Sequence, residues 1–402
     1  NTMDSTLLIL YNWMASINMD EEEVEVQKQL FQNRYAGVLP DTLMDGVNNC
    51  SSKDIRNFYY KWFRPEQQAL IAVGDINVKD FDSKIKTLFQ ALPRYLDKVV
   101  PPAKKVAEQS EVEVSVIPSS DAGTGKMHIY FTSPPLPVGV RTSAVPWVEE
   151  YMNTILSNLV SRRLTLASMK SDLPFAVRGV KYDRYMGLSD RDAFGVEVDV
   201  NSENAEKVLS VVMDELYEIG KFGFTEDEFY KGQESYFKDL NYNYDWRIIT
   251  PNQVYAYRAI DNFLGNYSLA SIEMKKEYMD MIKMEIAPQN LNMYAASFFR
   301  KGDNCRIHYL YPYGDSLPDS LSVRLKGVAE KEIMAIRERR REGVGPDLFP
   351  EISLNVTHPV ENTIVKEVPE LITGSKMWIL SNGATVIFKN TQSQPDKFSF
   401  KA

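Results

Sequence analysis

Two kinds of apolar pattern alternate along this 402-residue chain, helical faces at three-and-four spacing and short blocks of consecutive apolar residues. In "SSKDIRNFYYKWFRPEQQALIAVGDI", Ile55, Phe58, Tyr59 and Trp62 share one helical face. Ser51 or Ser52 can cap that helix by accepting from free first-turn N–H groups. Pro65 disfavours helical geometry at Arg64 and ends it. Ala69 to Val73 then predicts a strand buried on both faces, closed by the turn residues Gly74 and Asp75.

The same corner is found again downstream. In "APQNLNMYAASFFRKGDNCRIHYLY", Asn290, Leu291, Tyr294, Phe298, Phe299 and Arg300 match Asp54, Ile55, Phe58, Trp62, Phe63 and Arg64 at the one offset of 236 residues between Asp54 and Asn290. Cys305 to Tyr309 falls on Ala69 to Val73 at that offset. A helix, its terminal Phe-Arg pair and a following strand, matched without a gap, indicate two related domains with a period too long for a solenoid.

Between and around the copies the pattern predicts further elements. Thr6 to Met14 is an apolar helix or strand, Asp20 to Gln32 a polar helix, and a loop with Pro40 and Gly46 leads to Ser51. Phe81 to Phe89 is amphipathic, and Pro93 to Gln109 reads as a linker. "EVEVSVI" and "KMHIYFTSP" form a strand pair, a long helix spans Trp147 to Ser168, and "FGVEVDV" is another strand. Helices follow at Glu203 to Ile219 and at Thr225 to Leu240, the latter opened by a capping box. Gly343 to Thr373 is proline-rich and loop-like, and "KMWILSNGATVIFKN" is a hairpin around Asn382-Gly383. The order predicts an α+β fold, two related domains with helices on antiparallel sheets. Apolar material at Thr6 and the mid-strand look of "KFSFKA" lead us to expect that both ends lie inside domains.

Composition narrows the function classes. A hydrophobic share of 44% suits large cores. No apolar run approaches the roughly 18 residues of a membrane span, and no signal-peptide pattern opens the chain. A net charge of −9 speaks against a nucleic-acid partner, which requires clustered Lys and Arg. The one basic run, Arg337 to Arg341, is interleaved with glutamates and reads as a solvated helix with ion pairs at helical spacing. Cys50 and Cys305 fit no metal spacing.

The stretch "DIRNFYYKWFRPEQQALIAVGDINVKDFDSKIKTLFQALP" resembles the end of the first domain of the pitrilysin/insulinase family of zinc metallopeptidases. "NLVSRRLTLASMKSDLPF" and "FTEDEFYKGQESYFKDL" are similar to helices of that family's second domain, and "WILSNGATVIFKN" to the hairpin opening its third. The resemblance implies four related domains in two halves that close around a peptide, with this chain as one segment. The implied boundaries are 1–98 for the rest of a first domain, 99–109 a linker, 110–336 a second domain, 337–373 an interhalf linker and 374–402 the opening hairpin of a third.

What the resemblance implies about chemistry is zinc held by an inverted H-x-x-E-H motif, whose Glu activates water. The histidines here, His128, His308 and His358, stand isolated in sequence and none has a Glu-His neighbour. They read as structural or surface groups. The family's third zinc ligand lies on a helix corresponding to "DEEEVEVQKQLFQNRY", where its two glutamates fall on Gln27 and Arg34, neither of which supplies a carboxylate. Glu21, Glu22, Glu23 and Glu25 could serve as ligands only in a shifted register, and read as a solvated first turn. The family's Arg and Tyr pair, seven apart in its fourth domain, falls on Ser168 and Phe175; Arg178 and Tyr185 have that spacing at a different place.

The expectation is therefore a segment of a zinc metalloendopeptidase that encloses peptides, with no catalytic, cofactor-binding or metal-ligating residue of its own. Zinc belongs to the complete family member. Its partners would be a peptide or unfolded polypeptide and the remaining domains of the full-length protein or a homologous subunit. The alternative is a non-catalytic homologue acting as a peptide-binding or partner subunit.

Overall fold

The first copy of the helix-to-strand corner caps its helix as the sequence requires. Ser51 Oγ accepts from Asp54 N–H at 3.2 Å while Asp54 Oδ2 accepts from Ser51 N–H at 3.0 Å. This reciprocal box opens α4 (Ser52–Trp62), which follows α1 (Thr2–Ala15), α2 (Glu21–Tyr35) and α3 (Asp41–Asn49) and precedes α5 (Val78–Phe89). The loop expected before Ser51 is thus partly helical at α3. The computed structural model describes residues 2–15, 17, 19–35, 41–97, 99–100, 106–119, 124–187, 190–300, 303–312, 320–339, 363–370 and 374–390. The chain forms two compact units, Asn1–Leu348 and Phe349–Ala402.

Past Arg64 the expectation needs correction. Ala69 to Val73 is extended but joins no sheet among the described residues, and none of its residues is buried. A strand buries both faces only when neighbours take its backbone groups and cover its side chains. Arg64 is instead the anchor of this corner, buried and gripping Asp97 through two hydrogen bonds of 3.0 Å.

The second copy completes the motif. Helix α11 (Pro288–Phe299) starts at the same offset from α4, and Asn290 Oδ1 accepts from Ala287 N–H at 2.8 Å, as Asp54 does from Ser51. Its strand enters a five-stranded sheet built from β1 (Glu113–Ser119), β2 (Lys126–Ser133), β3 (Phe175–Arg184), β4 (Asp192–Val200) and β5 (Cys305–Pro312). The strand order is β1-β5-β2-β4-β3. β1 runs parallel to β5 and the other pairs are antiparallel, so the sheet is mixed. The expected neighbours β1 and β2 are separated by β5. Buried Cys305, Arg306, Ile307 and Tyr309 suit β5 to the centre, whereas the charge-alternating β1 suits an edge.

One sheet face carries the core. Met127, Ile129, Phe131, Phe194, Val196, Val198, Ile307 and Tyr309 are buried there. Phe299 of α11 meets Phe131 and Phe194 edge-on, at centroid distances of 5.0 and 5.2 Å. The helical layer comprises α6 (Val145–Lys170), α7 (Ala205–Phe222), α8 (Glu226–Asp245), α9 (Asn252–Gly265), α10 (Ile272–Ile282), α11 and α12 (Leu321–Glu338). α7 and α11 approach so closely that a Cβ on Gly220 would lie 2.7 Å from the Phe299 backbone. α8 starts at the expected capping box of Thr225 and Glu228. At the end of α12, Arg339 pairs with Asp214 and Glu218 of α7 at 2.5 and 3.4 Å. The basic run therefore also ties two helices together.

The second unit holds an antiparallel sheet of β6 (Ile364–Glu370), β7 (Ser375–Leu380) and β8 (Thr385–Phe388). The Asn382-Gly383 hairpin forms as expected, with Gly383 at φ +85°. β6 lies in a stretch read as loop because of its prolines. It tolerates Pro369 because it is an edge strand, where a missing N–H need not break a ladder.

Candidate functional site

The sheet face opposite the helices brings together residues that the sequence keeps far apart. His128 of β2 and His308 of β5 are directly opposed in the antiparallel register. Far apart in sequence, they are neighbours in the fold. His308 Nε2 lies 2.8 Å from the Tyr185 hydroxyl, and His128 Nδ1 lies 3.3 Å from the Tyr130 hydroxyl and 3.9 Å from Glu197. Tyr185 reaches them because the chain reverses after β3 through left-handed Met186 (φ +49°) and Gly187 (φ +73°). Its ring stacks on His308 and meets Tyr130 edge-on. Burial lowers the pKa of both histidines, since a charged imidazolium loses hydration there, so both are neutral near pH 7.

The other residues singled out in the sequence stay apart. Ser168 Oγ donates to the Phe175 carbonyl at 2.7 Å, a structural contact. Arg178 is paired with Asp199 at 2.5 Å, though it lines a cavity together with His128 and Tyr130. Gln27 donates to Glu23 on exposed α2, where Glu25 pairs with Lys28. The side chain of Arg34 and all of His358 lie outside the described residues. Among the described residues no group of three or more His, Cys, Asp or Glu is placed to hold a metal ion. Each opposed histidine turns one ring nitrogen to a tyrosine hydroxyl, while His128 Nε2 and His308 Nδ1 are buried without a hydrogen-bond partner among the described residues.

Besides a cavity of about 460 Å³ lined by His128, Tyr130 and Glu197, the described residues offer an open strand edge and a pair of cavities that can contact a ligand. Among the described residues β3 ends the sheet and pairs on one side only, leaving its outer backbone edge unpaired there, with a bulge around Arg178. Beside it, across the end of the sheet, run two cavities of about 480 and 700 Å³ that share Glu149 and Tyr182 as wall residues. The Tyr182 hydroxyl donates to Asp192 Oδ2 at 3.3 Å. Burial, and next the charge of Asp192, push the Glu149 carboxyl up to about 7. No sequence signal marked Glu149 or Asp192, because their neighbourhood is made by α6, β3 and β4 meeting in space.

A mixed sheet covered by helices on one face, reached through a repeated helix-to-strand corner, defines an α+β fold. Residues 49–236 match the Peptidase M16 inactive domain. The probable zinc protease PqqL of Escherichia coli is 21% identical over 368 residues, which is 90% of this chain and 38% of that relative. The crystal structure of the periplasmic protease PqqL from Escherichia coli aligns with a TM-score of 0.63 and 16% identity, covering 98% of this chain and 45% of that one. The first half of PqqL, solved separately, aligns with a TM-score of 0.62 and 15% identity over 86% of this chain and 77% of that one. These similarities support a place for the chain in the pitrilysin/insulinase family of M16 peptidases. The chain spans 38% of the length of the Escherichia coli relative and 45% of that relative's solved chain. Among the described residues no helix is long and apolar enough to cross a membrane.

Proposed function

We propose that this chain is a segment of a zinc-dependent metalloendopeptidase whose halves enclose peptide substrates in a chamber, and that the segment supplies wall rather than reaction centre. The observation that carries the reading is the match of residues 49–236 to the M16 inactive domain, in a chain whose three histidines form no H-x-x-E-H. Its proposed organisation is 1–98 from a first domain, a linker at 99–109, a second domain at 110–336, an interhalf linker at 337–373 and the start of a third domain at 374–402. The free edge of β3 supports a contact in which an extended peptide adds as a further strand, taking affinity from main-chain hydrogen bonds. Gln27 and Arg34, where the family has glutamates, favour the second reading, a non-catalytic homologue that holds peptides or a partner subunit. Zinc content and cleavage of an unstructured peptide, measured on the full-length gene product, test both. Bound zinc with cleavage is expected; a full-length protein with an intact H-x-x-E-H that binds zinc and leaves such peptides uncut would refute the peptidase reading.

A further inference from the structure

The paired cavities at the end of the sheet contain an electrostatic imbalance. Glu149, in the early turns of α6, and Asp192, at the start of β4, face the same wall, and Asp192 is only 9% exposed. Among the described residues neither carboxylate has a Lys or Arg within ion-pair distance, though Asp192 accepts from Tyr182. Of the cations nearby, Arg184 lines the smaller cavity and acts on Asp192 from beyond ion-pair distance, and two others are engaged elsewhere. Arg141 donates to the carbonyls of Leu136 at 2.8 Å and Gly265 at 3.0 Å and lies over the Tyr267 ring, while Arg258 donates to the Ala270 carbonyl. Two neighbouring carboxylates withdrawn from water cost several kcal/mol unless one is protonated or a counter-charge is supplied. Burial, and then the charge of Asp192, raise the Glu149 carboxyl against the opposing effects of Tyr182 and Arg141.

The walls fit an organic cation better than a bare ion. Trp147, Tyr182 and Tyr267 line the smaller cavity, and Tyr294 and Phe298 line the larger, so flat aromatic surface flanks the carboxylates. Aromatic faces attract guanidinium and ammonium groups, and volumes of this size hold a side chain with its stem. We propose that this cleft binds the lysine or arginine side chain of a peptide, its charge received between Glu149 and Asp192 and its stem held against the aromatic wall. The assignment rests on the peptide-enclosing reading above only for the source of the cation, and binding to the isolated chain tests it separately.

The 402-residue chain is titrated calorimetrically with N-acetylated, C-amidated Ala-Arg-Ala and with the same peptide carrying citrulline, which keeps the shape and loses the charge. Blocking both ends removes the α-ammonium as a source of charge. Saturable binding of the arginine peptide, weaker by about tenfold or more for citrulline, is expected. Glu149→Gln should weaken arginine binding by about fivefold or more, while Glu111→Gln, at an exposed residue paired with Lys326 and lining neither cavity, leaves it unchanged. If Glu149→Gln fails to fold, Asp192→Asn, which keeps an acceptor for Tyr182, decides in the same way. Equal affinity for both peptides, no saturation with the arginine peptide, or binding indifferent to the carboxylate substitutions would overturn the assignment. Arginine binding that survives in a full-length protein without peptidase activity would uphold the cleft and refute only the peptidase reading.

Discussion

Arg163 of α6 and Glu228 of α8 face each other as a fork on a fork, with Nε–Oε1 and Nη2–Oε2 both at 2.9 Å and each side chain 2% exposed. The same Glu228 carboxylate accepts from the Thr225 backbone and closes the capping box of α8. One side chain thus starts a helix and locks it to its neighbour. Glu215 of α7 and the Gly223 carbonyl take further guanidinium hydrogens.

Removing one partner leaves a buried charge without its counterpart. Glu228→Gln is expected to destabilise the fold by about 3–5 kcal/mol, read from the urea midpoint. Replacing Arg163 and Glu228 together by Met should recover only part of that loss, because Glu215 then loses its guanidinium partner. A single-variant loss below about 1 kcal/mol would place the pair in the class of weak, exposed bridges instead.

Gly220→Ala sets two effects against each other. Alanine is favoured over glycine inside a helix by about 1 kcal/mol. The added Cβ would sit 2.7 Å from the Phe299 backbone, which cannot swing aside as a side chain can. Overpacking of this kind costs about 1–3 kcal/mol, so a net loss of stability is expected. A higher melting temperature for the variant would contradict the close approach of α7 and α11.

Phe63 and Phe299 occupy equivalent positions in the repeated corner but opposite environments. Phe299 is fully buried, whereas Phe63 is 53% exposed. Phe299→Ala should cost about 3–5 kcal/mol, as truncation of a buried aromatic does. Phe63→Ala should cost under about 1 kcal/mol in this chain. Equal losses in denaturant melts would show that the two corners are finished alike.

Acid should weaken the His128–His308 face. Both folded-state values lie below the ordinary 6.5, chiefly through burial, so the unfolded chain binds protons first as pH falls. The stability this contributes is present above about 6.5 and is lost as pH drops through the folded values. Glu197 and Asp199 beside His128 and Glu113 beside His308 oppose the depression, while Lys126, Lys181 and Arg306 reinforce it. Glu149 acts with the opposite sign, its raised value favouring the folded state below about 4.5 and losing that advantage as pH rises through about 7. Unfolding midpoints at pH 7.5 and 5.5 separate the two. A His128→Asn, His308→Asn variant should lose less on acidification than the unaltered chain, and an identical loss would remove these histidines from the account.

The helices were the most legible part of the molecule. Ser51 with Asp54 and Thr225 with Glu228 announce their starts through side chains only three residues apart, and the structure makes both boxes. β6 was hidden because proline content argues for loop, and only its edge position makes Pro369 compatible with pairing. The apolar block at Ala69–Val73 misled in the other direction, since a strand's burial depends on neighbours that its own residues do not encode.

Local chemistry, written in the order of residues, determined the helix starts, the hairpin at Asn382-Gly383, the α+β character and the repetition of a corner over 236 residues. These depend on caps, turns and periodicity that act over a few positions, or on direct matching of letters. Tertiary structure alone decided that β5 divides β1 from β2, that His128 faces His308, and that Glu149 and Asp192 share a cleft. Those outcomes follow from competition among strands and helices for buried area and backbone partners, a competition settled between segments some 40 to 190 residues apart.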